Sequence, residues 1–136
     1  MAKYGSAVTI VEFDNAAGAL NVMTQHVDTI NNVSVEAILA ESHTFGDAWT
    51  EFLAVGVNRV PEVTLAGWYD DAATTGPDVI FNAPGNTTTR TLKFTWGGSK
   101  TSSVETVIKS YRRIATRNEL TRYEVVLQPT GTLTEV

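Results

Sequence analysis

The chain has 136 residues, 43% of them hydrophobic and 18% charged, a composition that fits one domain with a buried core and excludes a disordered segment. Its net charge of −5 argues against non-specific binding to the outside of DNA, which needs clustered Lys and Arg. Cysteine is absent, which excludes disulfides and thiolate metal sites, and no apolar run reaches the roughly 18 residues of a membrane-spanning helix.

The N-terminal stretch MAKYGSAVTIVEF has no uninterrupted apolar segment and reads as no signal peptide. Within it, Val8 to Phe13 is apolar and β-branched, a first strand, and DNAAG follows with the turn residues Asp14, Asn15 and Gly18. ALNVMTQHV is a weaker strand. Val33 to Leu39 fits a strand or a short helix, and strand is favoured.

At SHTFGDAWTEFLAVG the period changes. Phe45, Ala48, Trp49, Phe52 and Leu53 recur at i, i+3, i+4, i+7 and i+8, which predicts a helix from about Phe45 to Val55 with one apolar face. Thr44 and Asp47 resemble a capping box, Gly56 stands where a left-handed C-cap belongs, and Pro61 bars continuation. Phe45, Trp49, Phe52 and Leu53 are therefore the expected helix core, packed on a sheet.

The rest reads as strand. Val63 to Tyr69 alternates and ends at Asp70 and Asp71. Ala72 to Thr89 is long for a structureless connection, and such loops are usually functional. Thr91 to Trp96 alternates cleanly, with Leu92, Phe94 and Trp96 on one face, and Gly97–Gly98 signals a hairpin. Ser103 to Ile114 and Leu120 to Gln128 form an antiparallel pair whose faces are only half segregated. Burial in an assembly or a β-bulge would both produce that pattern. The tail from Pro129 holds a turn residue, Gly131, and a polar end.

Few residues suggest chemistry. Asp70 and Asp71 would point to opposite faces of a strand, and with Asp78 they match no calcium-loop spacing, so a strand-ending turn outweighs a metal site. His26 and His43 lie in no metal-ligand pair and beside no nucleophile motif, and His43 is expected to be exposed. GGSK lacks the upstream glycine and following helix of a phosphate loop. Lys109, Arg112, Arg113, Arg117 and Arg122 could form a nucleic-acid patch with Tyr111 and Tyr123. Pairing with Glu105, Glu119 and Glu124, or with acids of another subunit, is favoured over it. These residues imply no cofactor, no metal and no catalytic group.

The order of segments carries more than any one motif. FGDAWTEFL, then a strand ending GWYDDAATTGP, then SYRRIATRNELTRYEVVLQPTGTLTEV resembles a tail tube protein (major tail protein) of a siphovirus-type long-tailed bacteriophage, over Phe45 to the C-terminus. The resemblance implies a mainly β fold: an antiparallel β-sandwich or barrel-like domain with one flanking α-helix and a long inter-ring loop. It implies a structural, non-enzymatic virion protein whose homo-hexameric rings stack into a tube through which phage DNA passes during ejection. Partners implied are the tail terminator, tape measure and distal tail proteins, with no membrane. Six copies at −5 each would give −30 per ring, a charge that discourages DNA from sticking. No further immunoglobulin-like domain follows LQPTG, which puts host-surface decoration in doubt.

On this reading Ala72–Thr89 is the bridging loop, mobile in a free subunit and burying Val79, Ile80 and Phe81 on docking. Asp70 and Asp71 would pair with Arg112 and Arg113 within or between subunits. The alternatives are a tail terminator or head–tail joining protein, a small carbohydrate-binding β-sandwich using Trp68, Tyr69 and Trp96, and a hydrolase built on Asp70 and Asp71.

Overall fold

The computed structural model describes residues 3–136. Its strands are β1 (Ile10–Asp14), β2 (Leu20–Val22), β3 (Thr29–Ile30), β4 (Glu36–Ser42), β5 (Glu51–Arg59), β6 (Val63–Trp68), β7 (Arg90–Gly97), β8 (Lys100–Ile114) and β9 (Arg122–Glu135), with one helix, α1 (Pro77–Phe81). Seven strands form one antiparallel sheet in the order β2-β1-β7-β8-β9-β6-β3, while β4 and β5 pair only with each other. The sheet curls into a half-barrel flanked by α1, so the fold is mainly β with one flanking helix.

Alternation places the core. Val11 and Phe13, Leu92 and Phe94, Val104 and Ile108, Tyr123, Val125 and Leu127, and Val63 and Leu65 all point to the inner face and are buried. The half-segregated pattern of β8 has a local cause. Its register to β9 shifts between Ile108 and Ser110, and this bulge turns Tyr111 toward the core, where it stacks on Tyr123 at 6.0 Å. The Tyr123 hydroxyl donates to the His26 carbonyl. Backbone packs closely on the same spot: a Cβ at Gly67 would stand 1.9 Å from the His26 oxygen, so only glycine fits.

The helix is not where the apolar stripe places it. Residues Phe45–Val55 form a turn and then β5. The local start signal is real, since the Thr44 amide donates to the Asp47 carboxylate at 2.7 Å and the Asp47 amide to the Thr44 carbonyl at 3.0 Å. It closes one turn and no more, because pairing of Glu51–Arg59 with β4 overrides a marginal helical preference in a segment holding Phe52, Val55 and Val57. Gly56 does take a positive φ, +82°, but at the β4–β5 register shift rather than at a helix end. The expected helix core is consequently exposed: Phe45 fully, Trp49 85%, Phe52 61% and Leu53 58%.

The actual helix lies inside the presumed loop. Pro77 at its first turn and Asp78 beside it suit a helix start, and buried Arg90 donates to the Ile80 carbonyl at 2.7 Å. Phe81 fills the core between Phe13, at 5.0 Å, and Tyr123, at 5.7 Å. Ile80 and Phe81 are therefore part of the subunit's own core rather than a segment held for docking; Val79 alone of the three is exposed. Deleting Thr74 to Asn86 would remove core, not a spare loop. The C-terminal tail also differs from expectation, since β9 continues through Pro129 to Glu135.

Candidate interaction surfaces

Two surfaces stand out. The first is the end of β6, where GWYDD lies. Asp70 does end the strand by turn chemistry: its Oδ1 accepts the Ala72 amide at 2.8 Å. Neither Asp70 nor Asp71 meets Arg112 or Arg113 within the subunit. Arg112 pairs with Glu124 across the hairpin at 2.9 Å. Arg113 pairs with Asp78 at 2.6 Å while lying over the Tyr69 and Tyr111 rings. Asp78 also accepts the Tyr111 hydroxyl at 3.0 Å. Burial, then that bond to a carboxylate, pushes the Tyr111 pKa well above the usual phenol range.

The neighbouring cluster has the same design. Arg122 forks onto Asp28 at 2.7 and 2.8 Å and stacks over Trp68 at 4.6 Å. Its hydrogen bond holds the Asp28 carboxyl below its ordinary value. The arginines are thus structural clamps tying β8 and β9 to the chain around Asp28 and Asp78. One contact was hidden from the sequence: His26 Nδ1 lies 3.9 Å from Asp70 Oδ2, across a separation in the chain that no motif spans. Among the described residues no three His, Cys, Asp or Glu side chains come together as a metal site. The three aromatics of the sugar-platform reading are not gathered either. Trp68 ends β6 beneath Arg122, whereas Trp96 belongs to β7, with β8 and β9 between, and its indole N–H donates to Ser102 at 2.8 Å.

The second surface is the β4–β5 arm, half of which carries the apolar spacing of a helix in sequence. The arm is a hairpin outside the main sheet, and all its strand residues are exposed. Register puts Leu39 with Ala54 and Glu41 with Phe52 on one face, and Ala40 with Leu53 on the other. Both faces therefore carry large apolar groups. At the root, Glu36 and Arg59 pair at 3.0 Å. A two-stranded hairpin is marginal on its own, and alternating strands normally hide one apolar face. An arm greasy on both faces fits a segment covered by something else.

The total surface agrees. The chain exposes 8746 Å². A globular monomer of its 14.7 kDa would expose roughly 6,900 Å², leaving a surplus of about 1,800 Å². Each partner in a standard protein interface contributes about 800 Å², so the surplus is ample for more than one contact.

No family model and no curated protein sequence matches the chain. Solved structures do resemble it along its whole length. The tail of an empty GTA particle, refined with C6 symmetry, is 16% identical over 99% of this chain and 99% of that one, with a TM-score of 0.69. The six-fold symmetrised baseplate of the anti-feeding prophage (AFP) is 10% identical over 100% and 97%, with a TM-score of 0.73. A crystal structure of an Hcp protein is 10% identical over 94% and 97%, with a TM-score of 0.51. With its half-barrel sheet, flanking helix and near-complete coverage in each comparison, the chain has the tail-tube/Hcp-like fold.

Proposed function

We propose that this chain is a structural virion protein, a single tail-tube domain whose copies close into hexameric rings and stack into the tube of a siphovirus-type phage tail. The role is architectural and not enzymatic. The tube is the channel for DNA ejection, and the terminator, tape measure and distal tail proteins cap or fill it. The observation that carries the reading is the arm: a hairpin apolar on both faces, in a fold whose structural neighbours include a C6-symmetric tail. Asp71 and Val79, both exposed, are further candidates for contacts between copies. Six copies at −5 each would place −30 on a ring, and like charge would let DNA slide.

The test is direct. The purified chain is run on a sizing column over a concentration series and imaged by negative-stain microscopy. Sixfold rings or tubes are expected. A strict monomer at the highest soluble concentration, with no rings on the grid, would overturn the proposal.

A further inference from the structure

The self-assembly reading leaves open what covers the arm, and the inference here rests on that reading. Outside the arm, exposed apolar side chains gather at the opposite edge of the sheet. Ile10, Leu20 and Val22 are all exposed, as is Val8 just upstream. Register makes them one surface. Val22 stands opposite Glu12 and Leu20 opposite Asp14, and Ile10 is two residues before Glu12, so all share the outer face of β1 and β2. Among the described residues β2 is the last strand at this edge, and no strand neighbours its outer main-chain groups.

The arm belongs to the other edge. It leaves the sheet after β3, the last strand on that side, and returns into β6, the strand beside it. A patch on one edge and an arm at the other are two different surfaces of one molecule. Contact between them is heterologous, and repeated contacts of that kind close into a ring or propagate into a filament.

Both surfaces carry acids around their apolar centres, so the contact between them is apolar in character. Asp14 already accepts the Thr91 amide at 3.0 Å, and Glu12 stands opposite Lys93 in the β1–β7 register. On the arm, Glu36 is held by Arg59 and Glu41 lies 3.3 Å from His43. The chain as a whole has area to spare, since its surplus surface of about 1,800 Å² exceeds the roughly 800 Å² that one side of an interface requires.

We infer that the arm of one copy docks on the outer face of the β1–β2 edge of the next, with Val22 near the centre of the contact.

The absence of native cysteine makes the test clean. Ala48, at the arm tip, and Ala19, just before β2, are both exposed, as is Thr116 in the β8–β9 turn. Assembled Ala48→Cys/Ala19→Cys protein is treated with a short bis-maleimide and run on a denaturing gel. A ladder of multimers is expected, with nothing beyond a dimer from either single variant. Ala48→Cys/Thr116→Cys should behave like the single variants. In parallel, Val22→Glu should weaken assembly by roughly tenfold or more, because it buries an unpaired carboxylate, while Leu120→Glu should leave assembly intact. Assembled particles that ladder through Thr116→Cys, or that fail to ladder through Ala19→Cys, would overturn this docking mode and leave self-assembly standing. A wild-type chain that never assembles would overturn both.

Discussion

At the scale of single residues, charge in this molecule serves to fasten strands. Arg113 reaches back to Asp78 and Arg122 to Asp28, and each guanidinium also lies over an aromatic ring. The Asp28 pair gives a pH signature. Its carboxyl is held below its ordinary value of 3.8, first by the hydrogen bond from Arg122. A depressed carboxyl stabilises the fold fully above that ordinary value and loses the contribution as pH falls through the lowered one. Asp28→Asn should therefore flatten part of the stability loss below pH 3.8 and change little at neutral pH beyond removing the pair itself. Urea midpoints measured from about pH 5 down to about pH 2 would check this. The side chains are 30% and 37% exposed, so the difference should be small and should shrink in high salt. A wild-type acid limb as shallow as the variant's would show that the pair contributes nothing.

At the scale of elements, the arm and α1 have exchanged the roles their sequences suggest. Phe52–Leu53 and Ile80–Phe81 are both short apolar runs, but the first is exposed on a hairpin and the second is sealed beneath the sheet. The two should respond oppositely to truncation. Trp49→Ala should change the subunit's unfolding free energy by no more than about 0.5 kcal/mol, as for a surface site, while reducing assembly. Phe81→Ala should cost about 3–5 kcal/mol, since it empties the space between Phe13 and Tyr123. Denaturant melts under monomeric conditions, with light scattering for assembly, separate the effects. A large stability loss for Trp49→Ala would mean that the arm folds back on its own sheet.

At the scale of the whole molecule, net charge and apolar surface pull in opposite directions. Each copy carries −5, and copies brought together repel. The attraction proposed between them is apolar. Salt should therefore promote assembly, because screening weakens repulsion without weakening apolar burial. The concentration at which rings appear on a sizing column should fall between about 20 mM and about 300 mM salt, as the Debye length shrinks from roughly 20 Å to roughly 6 Å. A rise over that range would mean that ion pairs such as Asp71 with a neighbour's arginine carry the contact.

The β-rich character, strands β6, β7 and β8, the first half of β9, the hairpin turn after Gly97 and the turn role of Asp70 are all legible in the sequence. Each is written in local alternation or in a turn residue, so a few neighbouring positions suffice to read it. The bulge in β8 was legible only as an ambiguity, because a phase slip after Ile108 looks from the sequence like two half-apolar faces. Tertiary structure decided the rest. Phe45–Val55 satisfies the pattern of a helix as well as that of a turn and strand, and only pairing of β5 with β4 chooses between them. Arg113 could have taken any nearby acid, and the fold brings Asp78, 35 residues away, to its side. The surface that matters most, an arm with two apolar faces, was the least legible. Exposed apolar residues obey the same spacing as buried ones, so spacing alone does not tell the two apart.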